Sequence, residues 1–105
     1  MTDPTFDELM AAPTPESIVA VNLRAEAYDV YIGRGSKWGN PFRIGVHGTR
    51  AEVIRKYEER LRRTPLLMSA LKELHGQRLG CFCKPQSCHG DVLRRVAIEV
   101  NSHQR

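Results

Sequence analysis

Ile18-Val19-Ala20-Val21-Asn22-Leu23 is an almost unbroken apolar run, with the length and content of a buried strand. A turn near residues 24–27 separates it from Tyr28-Asp29-Val30-Tyr31-Ile32, which predicts a second strand. From residue 50 the apolar spacing becomes helical. Val53, Tyr57 and Leu61, with Ile54, form one stripe, and Thr49-Arg50-Ala51-Glu52 is a capping box at its start. Thr64-Pro65 ends that helix and opens another, with threonine as cap and proline at the first helical position. Leu67, Ala70, Leu71 and Leu74 line this second helix, and Gly76 stops it. Residues 78–83 predict a third strand and residues 84–87 a turn. A last helix from about Cys88 buries Val92, Leu93, Val96 and Val100.

The resulting order is β-β-loop-α-α-β-α. Strands two and three, joined through helices, are expected to be parallel with a right-handed crossover. The expected fold is a small Rossmann-like α/β sandwich, a three-stranded, mostly parallel sheet flanked by helices. Residues 18–105 form one domain in this reading. Residues 1–17, with Pro4, Pro13 and Pro15 among small and acidic residues, form a flexible arm with a turn around Phe6–Met10.

Two segments break the periodic pattern. Residues 33–42, Gly-Arg-Gly-Ser-Lys-Trp-Gly-Asn-Pro-Phe, hold three glycines and a proline, so they form a shaped loop. Residues 81–91, Cys-Phe-Cys-Lys-Pro-Gln-Ser-Cys-His-Gly-Asp, hold all three cysteines of the chain. One segment follows the second strand and the other the third. If those strands are parallel, both loops leave the carboxyl edge of the sheet, where open α/β sheets bind ligands.

Composition narrows the setting. A chain of 105 residues with 41% hydrophobic content can bury one core. No apolar run approaches the roughly 20 residues that span a bilayer, and the acidic N-terminus shows no secretory signal. Three cysteines make no disulfide framework, so a reducing, cytoplasmic setting is expected. The net charge of +4 mildly favours anionic partners, nucleotides or nucleic acid, and no membrane. Glu52/Lys56, Glu58/Arg62 and Glu59/Arg63 stand four apart and support an exposed helix face.

The thiol cluster allows two chemistries. In the first, Cys81, Cys83 and Cys88 hold a metal, with zinc the expected ion. His89 adjoins Cys88 on diverging helical positions, so a three-thiolate site with an open position fits better than a closed one, and His47 or His75 could complete it. In the second, Cys88 is a metal-free reactive thiolate at a helix N-terminus, His89 and Asp91 are acid/base or orienting groups, and Cys81 is a small core residue. Thiol–disulfide exchange ranks lower, because C-x-C and C-x₄-C are not the C-x-x-C spacing of redox motifs.

The glycine-rich loop suits an oxyanion. Arg34, Ser36 and Lys37 supply cations and a hydroxyl, Trp38 a face for a base, and Asn40 an amide for a base edge. The plainer reading makes Trp38 and Phe42 core plugs and Gly39-Asn40-Pro41 a turn.

At these two segments the chain resembles a family of small phage and bacterial proteins grouped as a domain of unknown function. Its signatures are G-R-x-S-K-W-G-N-P-F and C-x-C-x-P-x-x-C-H-G-D-V-L, present here at residues 33–42 and 81–93. The resemblance runs from about Val30 to Val96 and implies a setting in nucleotide or DNA metabolism. Together these readings make the expected function that of an enzyme of nucleotide or DNA-base modification, with a thiolate or thiolate–metal centre beside a nucleotide-binding cleft. The alternative is a non-catalytic, zinc-stabilised module binding nucleic acid or nucleotides.

Overall fold

The computed structural model describes residues 14–84 and 86–103. Strands β1 (Val19–Asn22) and β2 (Val30–Tyr31) are not neighbours. Each pairs in parallel with β3 (Arg78–Cys81), which fills the middle of a three-stranded sheet of order β1-β3-β2. Helix α1 (Arg50–Arg62), helix α2 (Pro65–Ala70) with a 3-10 extension (Leu71–Leu74), and helix α3 (His89–His103) complete the expected order. The fold is a small α/β domain, its parallel sheet flanked by helices. No described helix is long and apolar enough to cross a membrane.

The position of each strand explains its burial. Leu79, Gly80 and Cys81 of the central strand are buried, whereas Val19 on the edge strand is 49% exposed despite its apolar run. The ladder at β2 is short. Asp29 N donates to Arg78 O (2.8 Å) and Ile32 N to Gly80 O (3.1 Å), after which the chain leaves the sheet at Gly33.

The capping box forms as the sequence predicts. Glu52 N donates to Thr49 Oγ1 (3.2 Å) and Thr49 N to Glu52 Oε1 (2.9 Å). Helix α1 buries Val53, Tyr57 and Leu61. Thr64 departs from expectation: its hydroxyl donates back to Arg60 O (2.6 Å) and caps nothing in α2. Of the three expected ion pairs on α1, Glu58–Arg62 forms. Glu59 pairs instead with Arg55, and Lys56 donates to His47 O.

The chain joins the core before residue 18. Pro15–Ser17 is a 3-10 turn with Pro15 buried, and Arg94 donates to Ile18 O (3.0 Å) and Glu16 O (3.3 Å). Contacts of the domain therefore begin within the stretch expected to be an arm. The rest of that arm, with the turn expected near Phe6–Met10, lies outside the described residues. A chain starting at Ser17 is expected to unfold several degrees below one starting at Thr14, since about 1 kcal/mol moves a small domain by about 4–8 °C. Equal midpoints in thermal unfolding would show that Pro15 and Glu16 contribute nothing.

Candidate functional site

Both irregular segments line one open cleft of about 760 Å³ at the carboxyl edge of the sheet. Tyr31, Gly33, Arg34, Asn40 and Phe42 come from the glycine-rich side. Cys81, Phe82, Cys83, Ser87, Cys88 and His89 come from the thiol side. Parallel pairing of β2 with β3 puts the two loops there, because both strands end at the same edge.

Cys81 ends the central strand and Cys88 stands just before α3. Their sulfurs are 3.3 Å apart, and both residues are at most 2% exposed. At that distance one thiol can hydrogen-bond to the other. The S–H of Cys88 donates to Cys81, with backbone N–H groups of Cys83 and Lys84 and the Lys84 ammonium adding to it. These outweigh burial and bring Cys81 down to about 6. The thiol of Cys88 is pushed up, first by that hydrogen bond and then by burial and the Cys81 charge. The helix-start position of Cys88, which predicts a thiolate there, is opposed by its neighbour. Of the two, Cys81 is the one shifted toward the thiolate.

Cys83 is half-buried in the same wall. Among the described residues no three His, Cys, Asp or Glu side chains are gathered closely enough to hold a metal ion. Neither His47 nor His75 lines the cleft: His47 Nδ1 accepts from Arg43 N (2.8 Å), and His75 faces a separate hollow beside Ala97 and Val100.

His89 is 8% exposed, with its ring edge-on to Tyr57 at 5.0 Å. Nε2 lies 2.6 Å from Ile32 O. A carbonyl only accepts, so Nε2 carries the proton. Burial lowers the pKa of the ring and keeps it neutral, which leaves Nδ1 an acceptor. Nδ1 has no partner among the described residues and is not sealed from solvent.

Asp91 does not orient His89. Its Oδ2 accepts from Cys88 N (3.2 Å) and its Oδ1 pairs with Lys84 Nζ. It therefore fastens the thiol loop to the start of α3. Asn22 Nδ2, from β1, donates to Lys84 O (2.7 Å), and Gln86 N to Cys83 O (2.8 Å). Gly90 lets the helix approach. A Cβ there would meet Ala20 Cβ and Ile32 Cδ1 at 3.0 Å.

The glycine-rich loop divides. Arg34 and Asn40 line the cleft, but Asn40 spends its amide on structure: Nδ2 donates to Val53 O (3.2 Å) and Oδ1 accepts from Phe42 N (2.9 Å). Ser36 donates to Gly33 O (2.7 Å) and Lys37 pairs with Glu73 (2.8 Å); neither lines the cleft. Trp38 is 2% exposed in the core, and its carbonyl accepts from the Tyr57 hydroxyl (2.7 Å). The expected base platform is a core plug: its ring is buried in the core cluster and its backbone is tied to α1.

Arg43, Ile44, Val46 and Arg50 also line the cleft, unmarked as site residues by the sequence. Arg43 follows the glycine-rich motif directly. Neither its guanidinium nor that of Arg34 has a partner among the described residues. Arg50, the first residue of α1, donates to Ser87 O (3.1 Å) and Gln86 Oε1 (2.8 Å) and spans the cleft to the thiol loop. Val46, 74% exposed, stands with Ile44 and Phe82 as apolar surface around these cations. The signal for Arg43 was its place beside the motif. Nothing local marked Arg50 beyond its being a cation at a helix start.

The family described as "Domain of unknown function (DUF4326)" matches residues 20–99. A relative in Enterobacteria phage T4, named "Uncharacterized 12.4 kDa protein in nrdA-td intergenic region", is 36% identical over 81 residues, which cover 72% of this chain and 73% of that protein. No solved structure matches the chain significantly. With residues 20–99 matched and both signature segments lining one cleft, this chain belongs to the DUF4326 family.

Proposed function

We propose that this chain binds a nucleotide or nucleobase-like anion in the cleft and modifies it with the Cys81–Cys88 pair, as an enzyme of nucleotide or DNA-base modification. One observation carries the reading. A single cleft holds the Cys81–Cys88 pair, its sulfurs 3.3 Å apart, in its buried wall, two arginines whose guanidinium groups have no partner among the described residues, and exposed apolar surface fit for a planar ring. In this reading Arg34 and Arg43 take the anionic group by charge-assisted hydrogen bonds. Cys81 is the nucleophile, Cys88 its proton partner, and Nδ1 of His89 an acceptor for a proton released in the reaction. Asp91 and Arg50 hold the loop that carries Cys88.

The test is a titration with nucleosides, nucleoside monophosphates and short single-stranded DNA at two salt concentrations. Arg34→Ala and Arg43→Ala are each expected to weaken monophosphate binding about tenfold or more, at about 1.5–3 kcal/mol per charged hydrogen bond. Lys37→Ala should change it little, because Lys37 is engaged by Glu73. Weak, equal binding of every ligand, indifferent to both arginines, would end the nucleotide reading.

The zinc-stabilised binding module is the second reading. The sulfur separation of 3.3 Å favours it, being close to the roughly 3.8 Å that two thiolates span across a tetrahedral zinc at about 2.3 Å each. Cys83, which lines the same cleft but is not gathered with the pair, would have to move in as the third ligand in that case. Elemental analysis of protein purified without added metal separates the two: stoichiometric zinc supports the module, and metal-free folded protein the enzyme.

A further inference from the structure

We propose that Cys81 and Cys88 are a two-electron redox couple that closes to an intramolecular disulfide by exchange with a low-molecular-weight disulfide. C-x₆-C is not a spacing that announces such a pair. The tertiary structure makes it, by bringing the end of β3 against the start of α3. A disulfide has its sulfurs about 2.05 Å apart. From 3.3 Å, closure needs a shift of little more than 1 Å between two side chains already in contact.

The surroundings hold the pair ready. Gly90 is the residue that lets α3 reach the sheet, and a Cβ there would also stand 3.3 Å from Cys88 Sγ. Asp91 and Asn22 fix the two ends of the intervening loop. Both cysteines line the cleft, which is the route by which a small disulfide would approach them. Cys83 shares that wall and is the competing thiol.

The exchange balances in two steps. The Cys81 thiolate attacks one sulfur of R–S–S–R. A new S–S bond forms, the old one breaks, and RS⁻ leaves with the electron pair. That thiolate takes the proton of Cys88. The Cys88 thiolate then attacks Cys81 Sγ in the mixed disulfide and expels the second RS⁻. The protein pair is oxidised by two electrons and R–S–S–R is reduced to RSH and RS⁻, with charge conserved. The couple does not depend on the nucleotide reading. Where that reading holds, the oxidised protein has no thiolate to offer a ligand, and the disulfide is its off state.

Full-length protein would be incubated with excess oxidised glutathione, with and without a chelator, then alkylated and mapped by mass. Reduced protein takes an alkyl group on each of its three free cysteines. The expected oxidised form, in at least the chelated sample, takes one, on Cys83, and is lighter by two hydrogens in a peptide cross-linked between Cys81 and Cys88. Dithiothreitol should restore all three sites, and Cys83→Ser should still form the cross-link. Three alkylated thiols in both samples, glutathione adducts without a cross-link, or a bridge to Cys83 would each overturn the proposal. Ligand titration of the reduced protein is a separate readout, so loss of one proposal leaves the other standing.

Discussion

Trp38→Ala is expected to cost about 3–5 kcal/mol, the range for deleting a buried large aromatic side chain. A domain of this size has about 5–15 kcal/mol in all, so the variant should melt tens of degrees lower or fail to fold. The indole is 2% exposed, packs in the core cluster and sits on a backbone held by the Tyr57 hydroxyl. Trp38→Phe keeps most of that volume and should cost clearly less. Wild-type tryptophan emission should be that of a buried indole and should not respond to nucleotide. If Trp38→Ala instead melts with wild-type cooperativity at the wild-type temperature and has lost ligand binding, the ring is a stacking platform and its placement here is wrong.

The thiol pair should lose its first proton near pH 6, at Cys81. The direction follows from the donors. The Cys88 S–H comes first, then the backbone N–H groups of Cys83 and Lys84, against an opposing effect of burial. Below that pH both sulfurs are protonated, and above it one thiolate persists, because Cys88 keeps its proton. Ultraviolet thiolate absorbance and the rate of alkylation should therefore rise through about pH 6 with the amplitude of one sulfur. Cys88→Ala removes the main donor. The midpoint should climb toward the ordinary cysteine value of about 8.5, cutting the thiolate fraction near pH 6 by about a hundredfold. Cys81→Ser should abolish the low-pH step, with circular dichroism confirming that both variants fold. A wild-type midpoint near 8.5, or one that Cys88→Ala leaves in place, would remove Cys81 as the candidate nucleophile.

Much of the architecture was legible because it depends on local pattern. The capping box at Thr49, the stripe Val53-Tyr57-Leu61 and the stop at Gly76 each declare themselves within a few residues. The shared edge was legible too, since strand–helix alternation leaves parallel strands few arrangements. What stayed hidden depends on partners distant in the chain. Whether Trp38 faces in or out is settled by Tyr57, and whether Lys37 is available is settled by Glu73. The Cys81–Cys88 contact is a matter of how closely α3 meets the sheet at Gly90, which no spacing rule encodes. Even Val19 follows this logic: an apolar run shows strand character, but its place at the edge is fixed by which strand lies beside it.

The sheet order β1-β3-β2 has a consequence for how the chain comes into being. The strand that joins the other two is made last. During synthesis neither early strand has a ladder partner until residues 78–81 arrive, and every sheet contact then closes over a long stretch of chain. Nascent chains stopped before Arg78 carry two unpaired edges and no thiol, so they can neither assemble the sheet nor any part of the sulfur centre. Structure and chemistry therefore appear together, in a step that must follow release of most of the polypeptide. A stop codon before residue 78 should therefore leave no sheet at all, whatever the condition of the preceding helices.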